Sequence, residues 1–278
     1  MNRSLSRPPS IARRSFWLLI LLVGSGTGWG VEIIAHRGAS YDAPENTLAA
    51  VKLGWQQAKD GVEIDIHLSR DAKIVVIHDY DTKRIAGVDR KVADQTLSEL
   101  RALDAGKWKG KPWTGEKIPR LEEVLSTIPD GKRLFIEIKC GSEILPELKR
   151  LIEASHKRPD QLVIIAFSYE VAKRAKAALH AIQVYWLYDW KKDQDTGAEF
   201  TPDDVIAKGT AAGVDGIDVS FKGPVDAAFV RKAKSAGLKV YIWTVDDPDA
   251  ARELAAAGVD GITTNRPAWL HEKLDTAR

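Results

Sequence analysis

"AAGVDGID" at residues 211–218 and "AAGVDGIT" at 256–263 are near copies of one another. In each, a helix runs to a glycine that can take left-handed dihedrals, and a short apolar strand starts at once. Used twice, such a joint marks a repeating helix-to-strand unit. Working outward, short β-branched runs alternate with helical patterns from residue 31 onward, the signature of βαβ units and a parallel sheet. Strands are expected at about 32–36, 61–67, 133–138, 162–167, 182–187, 214–218, 238–243 and 259–263. Between them lie stretches such as "TLAAVKLGWQQAK", where Leu48, Val51, Trp55 and Ala58 share one helical face. Eight such units with no dinucleotide glycine fingerprint predict an α/β protein of the (β/α)8 (TIM) barrel type. Residues 79–118 are polar, irregular and too long for an ordinary connection, and are expected to form a small insertion over the barrel mouth.

In such a barrel, reactive side chains sit at the carboxyl ends of the strands. The first strand, "IIAHRG", ends in His36 and Arg37, two groups that are expensive to bury. In "VEIDIHLS" (62–69) alternation puts Glu63 and Asp65 on one face, and in "RLFIEIKC" (133–140) it pairs Glu137 with Lys139. Adjacent strands lie about 4.8 Å apart, so the three carboxylates can converge. Carboxylates so placed repel unless a cation sits between them, and an all-oxygen set suits one divalent ion, calcium or magnesium. Neutralisation by Arg37 and Lys139 alone is the alternative. His78 ends the run "KIVVIHD" as His36 ends the first, and two imidazoles beside a carboxylate cluster make a general acid and base pair. His67 shares the period of Glu63 and Asp65 but is expected to turn to solvent. Arg37 and Lys139 offer fixed positive charge to a phosphoryl group.

Composition bounds the partners. The chain has 278 residues, 44% hydrophobic and 29% charged, as an ordinary globular protein does. Its first thirty residues carry Arg3, Arg7, Arg13 and Arg14 with no acid, then the apolar run Phe16–Val23, then small residues ending in Gly28-Trp29-Gly30. That order predicts a cleaved export signal over residues 1–30, and "ARRSFWLL" resembles a twin-arginine signal. The remaining chain, 31–278, would be periplasmic or secreted with no stable membrane anchor. Without the four arginines, 37 basic residues stand against 39 acidic ones, so nucleic acid is a poor partner. Cys140 is the one cysteine, which leaves stability to the core rather than to an internal disulfide.

Taken in order, "HRG", "PENT", "EIDIHLSRDAKIVVIHD", "EIK" and "YIWTV" resemble the glycerophosphodiester phosphodiesterase family across residues 32–270. The resemblance implies metal ligands at Glu63, Asp65 and Glu137, catalytic histidines at His36 and His78, and phosphate contacts from Arg37 and Lys139. It also puts a supporting glutamate at Glu45, a tryptophan bordering the substrate at Trp243, and the family's insertion at 79–118. Two departures fall on the outer pocket: Asp246, where asparagine is common, and "IIAFSYE" around Phe167. The implied reaction is metal-assisted hydrolysis of a small-molecule glycerophosphodiester to glycerol 3-phosphate and an alcohol. The aromatics of "YWLYDW" (185–190) are read as barrel packing, with a cage for a choline group as the alternative. Rival readings are a phosphodiesterase on this scaffold acting on another phospholipid, and an exported non-catalytic protein that binds phosphopolyols.

Overall fold

The computed structural model describes Met1, residues 30–191 and residues 197–276; the expected export signal lies outside them apart from its two ends. Eight parallel strands form the barrel: β1 (Glu32–Ala35), β2 (Gly61–Leu68), β3 (Arg133–Ile138), β4 (Leu162–Ala166), β5 (Gln183–Tyr188), β6 (Gly216–Ser220), β7 (Lys239–Trp243) and β8 (Gly261–Thr264). Each pairs with the next, and β1 bonds to both β8 and β2, closing the cylinder. The helices that follow the strands in turn are α1 (Leu48–Gln57), α2 (Leu121–Leu125), α3 (Leu145–Ser155), α4 (Tyr169–Ala178), α5 (Pro202–Ala212), α6 (Ala227–Ser235), α7 (Pro248–Ala257) and α8 (Pro267–Asp275). The (β/α)8 expectation is met. Among the described residues no helix is long and apolar enough to cross a membrane.

The repeated joint shows how the sequence builds this. Gly213 and Gly258 end α5 and α7 at φ +69° and +90°, as left-handed caps. The strands then start at Gly216 and Gly261, about two residues later than expected, because Asp215 and Asp260 are used first. Each aspartate accepts the N–H of the second residue of a neighbouring strand, Val184 at 2.9 Å and Val240 at 2.8 Å. Asp60, before Gly61, does the same for Ile33 at 2.9 Å. The glycine after each aspartate makes room for a ring: a Cβ at Gly261 would lie 2.2 Å from the Tyr241 ring, and one at Gly216 2.8 Å from Tyr185. Those two tyrosines stack at 5.0 Å and, with Phe135, Ile34 and Val163, plug the lower barrel.

Alternation does the rest. Ile64, Ile66, Ile136 and Ile138 point outward into the core under the helices, which turns Glu63, Asp65 and Glu137 inward. The run before His78 is a short strand, Ile74–Val76, antiparallel to β2 and outside the barrel count. Beyond it the insertion is less irregular than its polarity suggests. It carries a two-stranded ribbon, Asp81–Thr82 against Val88–Lys91, and its own small core of Val75, Ile77, Ile85, Val92, Leu100, Ala105 and Ile118.

Candidate active site

After β1 the chain turns through two left-handed residues, Arg37 (φ 54°) and Gly38 (φ 79°). Only glycine fits the second, since a Cβ there would meet the Ala50 carbonyl carbon at 2.4 Å. The turn aims the Arg37 N–H at Glu63 Oε2, 2.8 Å away, and lets the guanidinium reach Glu45 (2.9 Å) and Asp65 (3.3 Å).

Glu63, Asp65 and Glu137 are 3%, 1% and 8% exposed, and one oxygen of each lies within 4.8 Å of the others. Asp65 and Glu137 are register partners across β2 and β3. Asn46 brackets Asp65, donating from Nδ2 at 2.8 Å and accepting the Asp65 N–H at 3.1 Å. Lys139 Nζ donates to Glu137 Oε1 at 2.6 Å and lies 3.7 Å from Asp65. The cations therefore pair with the carboxylates, yet Glu63 Oε1 and Asp65 Oδ1 are buried with no hydrogen-bond donor. Burial, then Asp65 and Glu137, push the Glu63 carboxyl well above its ordinary range, and burial lifts Glu137 to about 7. Burial opposes ionisation of Asp65 too, but Arg37 and Lys139 outweigh it and hold that carboxyl low. Two buried oxygens without donors and two carboxyls that resist ionisation describe a cluster short of positive charge. A hard divalent ion with oxygen ligands fits that donor set.

The two histidines have unlike partners. His36 Nδ1 lies 2.7 Å from Asn265 Oδ1, while its Nε2 is 4.0 Å from Glu63. Burial, then Arg37, lower His36 to about 4. His78 Nδ1 lies 2.7 Å from Asp79 Oδ1, and Asp79 is gripped by Arg84 at 2.7 and 3.1 Å. Arg84 also donates to both oxygens of Glu45, so Glu45 and Asp79 are tied together behind the site. His36, His78, Arg37, Glu63, Glu137 and Lys139 all line one cavity of about 130 Å³. A wider cleft of about 930 Å³ adjoins it, sharing His78, Glu137, Lys139 and Phe167. Trp243 lines the inner cavity, its Nε1 donating to the Asp218 carbonyl at 3.0 Å and its ring 5.3 Å from Phe167.

Several expectations need correction. His67 does not turn to solvent: it is 4% exposed, its Nε2 donating to the His78 carbonyl at 3.2 Å, because the Ile74–Val76 strand and its turn fold over it. Asp246 is not an outer-pocket residue. It accepts from Thr264 Oγ1, Asn265 N and Asn265 Nδ2 at 2.8, 2.8 and 2.6 Å, and so holds the end of β8. In "YWLYDW", Tyr185, Trp186 and Tyr188 are buried, and neither cavity is lined by an aromatic of that run, only by Leu187, so the aromatics are packing as expected. Sequence reasoning missed Asn46, Arg84, Asp218 and Asn265. Asn46 sits inside the quoted "PENT" and Asn265 directly after the last strand, so position alone could have flagged both.

The chain is similar to known proteins in sequence and in fold. Residues 36–269 match the sequence model of the glycerophosphoryl diester phosphodiesterase family. A glycerophosphodiester phosphodiesterase of Caldanaerobacter subterraneus is 33% identical over 242 residues, 86% of this chain and 95% of that one. An Oleispira antarctica phosphodiesterase, solved in complex with the product sn-glycerol-3-phosphate, superposes with a TM-score of 0.77 at 30% identity, over 88% of this chain and 96% of that one. A putative glycerophosphoryl diester phosphodiesterase from Silicibacter pomeroyi gives 0.78 at 25% identity, over 89% and 94%.

Proposed function

We propose, from the premise that this chain belongs to the glycerophosphoryl diester phosphodiesterase family, that it hydrolyses glycerophosphodiesters to glycerol 3-phosphate and an alcohol with His36 as base and His78 as acid. The observation that carries the reading is the shared cavity: both imidazoles, both cationic side chains and two carboxylates of the cluster, Glu63 and Glu137, face one space of about 130 Å³. Glu63, Asp65 and Glu137 would hold one divalent cation, calcium or magnesium, whose charge would offset phosphate and lower the pKa of a glycerol hydroxyl.

The protein's own groups divide the proton work. Asp246 accepts from Asn265 Nδ2, which orients that amide so that its Oδ1 faces His36. The amide oxygen can only accept, so His36 Nδ1 carries the hydrogen and Nε2 presents a lone pair to the cavity. Burial lowers the His78 pKa as well, but there Asp65 and the Asp79 carboxylate at Nδ1 work against it in favour of the charged form. His36 therefore takes the proton of the glycerol C2 hydroxyl as its oxygen attacks phosphorus. The bond from phosphorus to the alcohol oxygen breaks, and His78 supplies that oxygen's proton. Water then opens the resulting cyclic phosphate with the two roles exchanged. Arg37 and Lys139 neutralise the phosphate throughout.

Glycerophosphocholine incubated with the protein in calcium, magnesium or manganese should yield equal amounts of glycerol 3-phosphate and choline. Binding of the diester without turnover in all three would replace this reading with that of a phosphopolyol-binding protein. Export is part of the same proposal and rests on residues 1–30 alone; cell fractionation that leaves the mature chain in the cytoplasm would remove it.

A further inference from the structure

One titratable group at the site has no place in that proton path. Asp218 lies in β6, where Ile217 and Val219 face the outer core, so alternation turns its side chain into the barrel. There it lines the inner cavity with Ile165, Leu187, Phe167 and Trp243, three strands on from Glu137. It is 2% exposed, and its Oδ1 is buried with no hydrogen-bond donor. Each of the other carboxylates in the cavity has at least one donor or cation beside it. A carboxyl among apolar walls with nothing to bond is costly, and enzymes carry such groups where substrate completes them.

We propose that Asp218 is a specificity-determining residue whose carboxyl oxygen accepts a hydrogen bond from the terminal hydroxyl of the substrate's glycerol half. The inference rests on the hydrolytic reading above and extends it to substrate choice. Two features point to glycerol rather than to the alcohol. The inner cavity, about 130 Å³, suits a group of a few atoms, whereas the adjoining cleft of about 930 Å³ suits the larger or variable half of a diester. The glycerol C2 hydroxyl is taken up in the reaction, so the C1 hydroxyl is the remaining donor that needs an acceptor. A carboxyl oxygen accepts in either protonation state. Trp243 fixes the wall beside it, since the indole donates to the carbonyl of Asp218 itself.

The test compares glycerophosphocholine with its analogue lacking the terminal hydroxyl, 2-hydroxypropyl phosphocholine. The wild-type enzyme should prefer the natural diester by about 100-fold or more in kcat/KM, because the analogue leaves a buried acceptor unpaired. In Asp218→Ala the preference should collapse to within about threefold, through loss of rate on the natural diester and little change on the analogue. Asp218→Asn, which keeps an acceptor of the same shape, should retain part of the preference. Neither variant should lower Tm, since a partnerless carboxyl is being removed. An unchanged preference in both variants, or equal losses on the two substrates, would overturn the proposal. Failure of the hydrolytic reading itself shows differently, as a wild-type protein that turns over neither diester.

Discussion

The Nδ1 of His36 lies 2.7 Å from the side-chain oxygen of Asn265, two residues separated by nearly the whole barrel in sequence and joined where β1 meets β8. That contact selects the tautomer that leaves the Nε2 lone pair facing Glu63. Asn265→Ala is expected to lower kcat by about 10- to 100-fold with KM nearly unchanged, and Asn265→Asp, which keeps an acceptor, to recover part of the loss. Steady-state kinetics on glycerophosphocholine check this, and equal losses in the two variants would argue against tautomer control.

Unlike partners for the two histidines imply unlike dependence on the leaving group. His78→Ala is expected to lose about 10²- to 10⁴-fold on glycerophosphocholine but far less on a nitrophenyl diester, whose leaving group needs no proton. His36→Ala should fail on both. A similar loss on the two diesters in His78→Ala would contradict the assignment.

The carboxylate cluster should make stability depend on pH in the opposite sense to ordinary acidic residues. In the cation-free protein Glu63 and Glu137 have raised folded pKa values, Glu137 about 7, so the folded state holds protons that the unfolded state has lost. These two carboxyls therefore contribute stability that is lost as pH rises from about 4.5 to about 7, while His36, His67 and His78, whose pKa values are lowered, contribute in the opposite sense. A divalent cation replaces those protons, so added calcium or magnesium should raise Tm more at pH 7 than at pH 5. Thermal melts across that range, with chelator and with cation, decide the matter; a cation-induced rise in Tm no larger at pH 7 than at pH 5 would refute it.

The turn behind Arg37 is a packing requirement. Gly38 takes φ 79° with no room for a Cβ beside the Ala50 backbone. Gly38→Ala is expected to cost about 2 kcal/mol or more in stability and to lower activity by displacing Arg37. Denaturant unfolding measures the first, and a loss below about 0.5 kcal/mol would show that the turn relaxes freely.

What was legible in the sequence was whatever depends on period and position. Alternation in "VEIDIHLS" and "RLFIEIKC" placed Glu63, Asp65 and Glu137 on the inner wall, and the repeated Gly-Val-Asp-Gly joints marked the barrel. What escaped was set by contacts between distant segments. Nothing near His67 tells that the Ile74–Val76 strand will cover it, nor does anything near Asp246 tell that it will hold Asn265. Asp218 is visible as an acid in a strand, but its isolation appears only once Leu187 and Trp243 stand around it.

In the proposed reaction Glu63, Asp65 and Glu137 together would hold one divalent cation that turnover requires. Protein stripped with chelator, dialysed, and titrated with calcium or magnesium by calorimetry while glycerol 3-phosphate release is followed tests it most directly. One cation per chain is expected, with activity rising in step with occupancy and both lost in Glu63→Gln. Full activity in the stripped protein, or cation binding undiminished by Glu63→Gln, would contradict it.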